Sequence, residues 1–481
     1  MTLMRSMLSF LEILERAQKG PICKTRDWDI HVIPDKVKQK ISDYDLKGTY
    51  DPNNPINTDD KLADRYFEAG FSLALELGMH CLDTQRTINY EEQELKEAVS
   101  EHIQRISYGT RPDDVVIAAR RPDDNNVPIV QFGPFAMPIS EELWIPIHQS
   151  IAQHRIVDML CPGTLGTIHG MEVRAGTPLE VLAGRYEGRL SREAVRRAGR
   201  PNMALRGPQI TPTSLGHLAG YGDPQGYRTT DMNVVLGIQE LKTSYTLLEK
   251  VAHVLNLEAP VHTMSWSFLG AYAGPPEGVA LASIAASILL IPTHQATTSA
   301  GSCFDARVFC NTGREAIWAD SISGQAQARN IDRPIEGIIT PISGPCTEML
   351  LHECAAAALG GTVSGRAWLL GVRPRGGRLE NYSTALENIF SAEIVKAAAR
   401  LTRKDANEIV KELLPKYENR LRAPAEGKTF PECYDPTKLK PSKDWLEIYT
   451  AARKELAVLG LSLDRHELNV MPPRSVEGGA G

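Results

Sequence analysis

The sequence predicts an α/β protein: a single TIM (β/α)8 barrel over residues 111–390, with an N-terminal helical extension (1–110) and a C-terminal helical extension and tail (391–481). Three observations lead there. Short β-branched runs alternate with helix-patterned segments from residue 113 onward, the signature of parallel βαβ units. Seven or so such units fill roughly 280 residues, which suits one closed barrel better than two doubly wound sheets. No GxGxxG motif follows the first of them, which argues against a dinucleotide-binding fold.

At the N-terminus, "MTLMRSMLSFLEILERAQKG" places Leu3, Met7, Leu11 and Leu14 at helical spacing. Glu12 and Glu15 interrupt the apolar run, so it reads as a docking helix rather than a signal peptide. The turn-rich "DPNNPINTDD" (51–60) precedes a helix expected over 61–77. Strands are expected in "DVVIAAR" (114–120), "PIVQFGP" (128–134), "VDMLCPG" (157–163) and "MALRGP" (203–208). Three more are expected in "APVHTMS" (259–265), "ARVFCNTG" (306–313) and "EGIITPISGP" (336–345). Helices are expected between them at 140–154, 178–198, 233–255, 277–290, 313–328 and 346–360. Past residue 390 the pattern is helical again, then comes the loop "APAEGKTFPECYDPTKLKPSKD", and a last helix covers 444–458. The tail "PPRSVEGGAG" has the composition of a disordered segment.

Composition narrows the function classes. The chain is 42% hydrophobic and 23% charged with a net charge of −6, so a generally basic, nucleic-acid-seeking surface is not expected. Eight cysteines with no CxxC pair are too sparse for a disulfide scaffold and suit buried thiols in a reducing cytoplasm. The longest apolar run, Val279 to Ile291, contains Ser283 and Ser287 and falls short of the ~20 residues a membrane helix needs.

Several strand-like runs end in a polar residue and a Gly-Pro step: Gln131 before Gly133-Pro134, Arg206 before Gly207-Pro208, and Thr340-Pro341 before Gly344-Pro345. The carboxyl ends of barrel strands face the active site. Arg206 is therefore expected to point into the barrel mouth. Position alone leaves two roles open, a substrate-facing cation or a salt-bridged brace at the rim.

Collinear motifs run through nearly the whole chain: "DWD" (27–29), "FEAGF" (67–71), "PIVQFGP" (128–134), "PISEELWIPIH" (138–148), "AGRP" (198–201), "QELK" (239–242), "GAYAG" (270–274), "TGRE" (312–315), "GPCTEM" (344–349), "SGR" (364–366) and "APAEGKTFPECYD" (423–435). In these the chain resembles the monomethylamine–corrinoid protein methyltransferases of methanogens, which are TIM barrels. That resemblance implies a pyrrolysine before the second Gly-Pro, whose ring imine adds the amine and presents its methyl to cob(I)alamin. Here the position is Arg206. A guanidinium stays protonated, cannot add an amine covalently and repels methylammonium. The resemblance further implies a pocket lined with acidic and polar groups in the family, and it places Val234, Met264, Ile338 and Thr340 at those positions here, a largely apolar lining.

The resemblance thus implies a corrinoid-dependent methyltransferase with a donor other than monomethylamine. A quaternary amine or sulfonium gives up a methyl to Co(I) without covalent activation, so the protein need only orient it. Trp266, Tyr272 and Phe304 lie in segments that reach the mouth, where cation–π contact with such a donor is worth about 0.5–2 kcal/mol. Arg206 would grip a carboxylate on the same molecule. Alternatives stay open: a methylamine donor by a pyrrolysine-independent route, a non-catalytic ligand-binding relative, or a zinc barrel enzyme.

Among other candidates, Glu348 at a helix start serves either the helix dipole or substrate and proton handling. His262 and His294 read as hydrogen-bonded wall residues more than as bases. Asn311 and Arg314 follow a strand, and Arg314 reads as a rim ion pair or a second anion clamp; Gln131 and His169 share that ambiguity. Cys303 with Cys310, and Cys346 with Cys354, lack the spacing of a zinc clip, so zinc is not expected. No DxHxxG motif is present, so the corrinoid is expected on a partner protein. The family resemblance further implies a homo-oligomer, a hexamer by analogy.

Overall fold

The structure is a computed structural model that describes residues 2–463. The expected tail at 472–481 and the side chains of Leu3 and Met7 lie outside the described residues.

A barrel closes through parallel pairings alone. Strand 1 (Ile129–Phe132) pairs with strand 2 (Met159–Leu160) at Gln131 and Met159. Leu160 bridges Leu205, which makes residues 205–206 strand 3, and Arg206 bridges Met232 at the start of strand 4. Strand 4 ends at Val235–Leu236 and pairs with strand 5 (His262–Leu269), itself paired along its length with strand 6 (Thr298–Asp305). Ser299 bridges Ile335, leading into strand 7 (Glu336–Ile338). Strand 7 pairs with strand 8 (Trp368–Gly371), and strand 8 returns to strand 1 at Trp368 and Ile129. Each strand is followed by a helix: Glu141–Ala152, Pro178–Arg197, Leu215–Gly220, Tyr245–Asn256, Pro276–Thr293, Arg314–Asn330, Glu348–Val363 and Ala385–Ala398. Strand, helix and pairing order are those of the (β/α)8 barrel, as the sequence predicts.

Two flanking layers explain why several barrel helices are apolar all round. Asp60–Leu77 packs on the outside of Pro276–Thr293 and Arg314–Asn330, so the apolar Pro276–Thr293 is buried on every side. It is long and apolar enough to cross a membrane, but protein surrounds it here. Arg403–Leu413 and Lys443–Val458 cover Glu348–Val363 in the same way, and Trp445 Nε1 donates to Thr384 Oγ1 at 3.0 Å. Motifs far apart in sequence meet at these seams: Trp28 Nε1 donates to the Glu240 carbonyl at 2.9 Å, and Lys242 pairs with Asp29 at 2.7 Å.

Some expected elements differ. Residues 115–118 form an antiparallel hairpin with 105–108 rather than a barrel strand. Ile106, Tyr108 and Ile117 of that hairpin pack with Met159, Ala204, Met232 and Trp368, closing the amino-terminal end of the barrel. The expected strand 306–313 is the turn after strand 6. The strand itself, "TSAGSCFD", reads as too small and polar for a core strand, yet it is buried throughout. Its small residues answer a close helix: a Cβ on Gly301 would stand 1.9 Å from the Ser283 carbonyl. Residues 233–236, expected in a helix, belong to strand 4, and strand 8 was not expected. In the first helix, Phe10, Ile13 and Ala17 are buried while Leu11 is 53% exposed, so the docking face is rotated from the expected one.

Candidate active site

Met203, Ala204 and Leu205 are fully buried core residues, and Arg206 ends their strand facing inward. Its guanidinium has no solvent exposure, and its partners come from four other strands. Nη1 donates to Gln131 Oε1 on strand 1 at 2.9 Å and to Glu336 Oε2 on strand 7 at 2.7 Å. The Met232 sulfur on strand 4 and the Met264 sulfur on strand 5 lie 3.6 and 3.3 Å from its terminal nitrogens. The glycine behind it is required by packing: a Cβ at Gly207 would meet the Tyr227 ring at 2.4 Å, and Tyr227 is held by a 3.0 Å hydrogen bond to Glu187.

Glu336 has a second neighbour. His262 Nε2 lies 2.6 Å from the same carboxylate oxygen, and His262 Nδ1 is 2.9 Å from Thr298 Oγ1. Burial pulls the His262 pKa below its ordinary value, and the Glu336 charge only partly offsets this, so the ring is neutral near pH 7. Burial alone would raise the Glu336 carboxyl, but Arg206 and His262 outweigh it and hold the group below the usual carboxylate range. Arg206 and Glu336 therefore form an ionised, mutually neutralised pair.

Toward the carboxyl ends of the strands the lining becomes aromatic. The Phe135 ring lies 5.7 Å from the Arg206 guanidinium carbon. Trp266 meets Phe135 edge-on at 6.4 Å and stacks on Phe304 at 5.4 Å. Arg373, just past strand 8, sits over both Phe135 and Trp266 at 5.4 and 5.8 Å. Burial lowers the Arg373 pKa to about 10, which leaves it cationic at neutral pH.

The structure thus brings Arg206, Gln131 and Met264 into direct contact, with Trp266 in the layer above. Ile338 shares the face of Glu336 by strand alternation, and Thr340 is buried two residues further on. Val234 is buried in strand 4. Asn311 is a buried brace, with its side-chain amide donating to the Ile338 carbonyl and accepting from the Thr340 amide. His294 bridges Thr243 and Thr263 as a wall residue, and burial lowers its pKa to about 3.

Others stand apart from this cluster. Arg314 pairs with Glu418 at 2.8 Å. Glu348 is an exposed first residue of its helix, in a surface cleft with His352 and Lys416. Tyr272 is 43% exposed with Lys242 over its ring at 5.9 Å, and His169 is exposed beside Glu141. Two expectations therefore change. The Arg206 charge is already met by Glu336, so it is not a vacant clamp for a substrate carboxylate. The rings of Phe135, Trp266 and Tyr272 already face the protein's own cations. Among the described residues, no group of three or more His, Cys, Asp or Glu is placed to hold a metal ion.

Sequence reasoning missed Glu336, Phe135, Met232 and Arg373. Glu336 had a signal: strand alternation from Ile338 and Thr340 puts it on the same inward face. Arg373 had none, because strand 8 was not recognised.

A parallel barrel whose inward polar groups converge beneath an aromatic layer at the carboxyl ends of the strands has the layout of barrel enzymes. The model of the family "monomethylamine methyltransferase MtmB" matches residues 8–461. The chain belongs to this family and is a methyltransferase. A monomethylamine methyltransferase of Methanosarcina mazei is 32% identical over 463 residues, spanning 95% of this chain and 99% of that protein. The crystal structure of the Methanosarcina barkeri monomethylamine methyltransferase superposes with a TM-score of 0.91 at 30% identity, covering 94% of this chain and 98% of that one. A structure of its hydroxylamine complex gives a TM-score of 0.90.

Proposed function

We propose that this methyltransferase moves a methyl group from a quaternary amine or sulfonium donor to the Co(I) of a corrinoid carried by a partner protein. The observation that carries the reading is the state of Arg206. Where the resemblance implies an electrophilic imine, this chain has a guanidinium with no solvent exposure, bound to Glu336 and Gln131. Such a group cannot form a bond to an amine, so the donor must already carry a good leaving group. Presented by the partner, a Co(I) corrinoid would supply the nucleophile for the methyl carbon, and the C–N or C–S bond would break. The leaving group departs with that bond's electrons as a neutral tertiary amine or thioether. No proton has to move, and the neutral His262 and charge-balanced Arg206–Glu336 pair fit a site without acid–base work. What remains for the protein is orientation and exclusion of water.

A second reading is supported by the relatives' names: methylamine itself as donor, by a route independent of pyrrolysine. The purified chain, mixed with a reduced corrinoid protein, separates the two. Formation of methyl-cobalt from quaternary or sulfonium donors, with none from methylamine, supports the first reading; the reverse pattern supports the second.

A further inference from the structure

We propose that Arg373 is the specificity residue of this site and binds a carboxylate on the methyl donor, so that the substrate class is a zwitterion carrying both a methylated onium group and a carboxylate. This rests on the methyl-transfer reading and goes beyond it by naming the anion site. Arg373, itself half-buried, differs from the buried arginines of the barrel. Arg206 has Glu336, Arg366 has Asp320 at 2.8 Å, and Arg333 has Glu101 at 3.0 Å. Among the described residues Arg373 has no carboxylate partner and makes no side-chain hydrogen bond, and its Nε is buried without an acceptor. Arginine retains its proton, and an N–H shut off from water as this Nε is rarely goes without an anion or acceptor.

Its setting is the aromatic layer above the Arg206–Glu336 pair, with Phe135 and Trp266 at its guanidinium. The Arg373 backbone donates to the Ile339 carbonyl at 3.3 Å, which fixes its base beside strand 7. Two buried hydroxyls of neighbouring strands also lack partners. Thr340 Oγ1 follows strand 7, and Ser302 Oγ lies in register with Trp266. A carboxylate accepts from a guanidinium fork and from hydroxyls at once. An onium ion without a carboxylate would enter this region against one uncompensated positive charge, whereas a zwitterion brings the counter-charge with it.

Binding measured by calorimetry, with no corrinoid present, tests this apart from methyl transfer. The probes are trimethylammonioacetate, which has a carboxylate, and choline, which has a hydroxyl in its place. The wild-type chain is expected to bind the first about tenfold to a hundredfold more tightly, the worth of a charge-assisted hydrogen-bond pair. Arg373→Met should abolish that preference, weakening trimethylammonioacetate and binding choline at least as tightly as the wild type does because the repelling charge is gone. Arg373→Lys should restore part of the preference. Preference kept in Arg373→Met, no preference in the wild type, or binding of neither probe overturns the proposal. If a folded Arg373→Met is not obtained, judged by its thermal melt, the Arg373→Lys and wild-type affinities decide: equal preference in both overturns it. Preference through Arg373 with no methyl reaching cobalt would sink the methyl-transfer reading alone.

Discussion

Replacing Glu336 by Gln removes the negative half of a buried ion pair while keeping the side chain's shape. Both partners have fully buried side chains 2.7 Å apart. Stranding one charge of such a pair costs about 3–5 kcal/mol. Here the low end applies, because Arg206 keeps its 2.9 Å bond to Gln131 and the new amide oxygen still accepts. Arg206→Met strands the carboxylate instead and should cost a similar amount. The double variant Arg206→Met/Glu336→Gln leaves neither charge, so it should regain about 2 kcal/mol or more relative to the sum of the singles. Urea unfolding followed by tryptophan fluorescence reads all four proteins. The Glu336 carboxyl is held below its ordinary range, so its contribution is complete above the unfolded pKa of about 4.3 and is lost as pH falls through the lower folded value. The gap between wild type and Glu336→Gln should therefore be full at neutral pH and shrink in acid. Single variants as stable as wild type, or losses that simply add, would refute the account of the pair.

Glu240 shifts the opposite way: burial pushes its carboxyl up to about 7, against hydrogen bonds from Ser267 and the Phe268 amide. Its stabilising contribution is complete below about pH 4.3 and is lost as pH rises to the folded value, so Glu240→Gln should lose less stability than wild type between pH 5 and 8 in urea titrations. Gly207→Ala forces a methyl toward the Tyr227 ring and should cost about 1–3 kcal/mol, seen as a lower urea midpoint. Glu348→Ala should cost no more than about 1 kcal/mol through the helix dipole and leave donor kinetics unchanged, since the residue is exposed and apart from the barrel cluster.

The barrel was legible because five of its strands end at Gly-Pro steps or carry β-branched runs, and because most barrel helices have clear starts and stops. It was least legible where packing overrides propensity. "TSAGSCFD" forms a core strand because a helix approaches too closely for larger side chains. "DVVIAAR" has strand propensity but serves as the floor of the barrel. In the site, polar residues at strand ends before Gly-Pro steps pointed to Arg206 and Gln131, and the family resemblance pointed to Met264. The sequence could not show that Glu336 already answers Arg206, because that contact joins residues 130 positions apart. Many of the motifs proved to be seams: Trp28 on Glu240 and Lys242 on Asp29 tie the N-terminal extension to the barrel.

The most direct measurement is a competition in one vessel. Deuteromethyl-labelled trimethylammonioacetate and unlabelled methylamine, at equal concentration, are mixed with the protein and a corrinoid protein poised as Co(I). Mass spectrometry then reads which methyl sits on cobalt. The account predicts that the label predominates; unlabelled methyl from methylamine would contradict it.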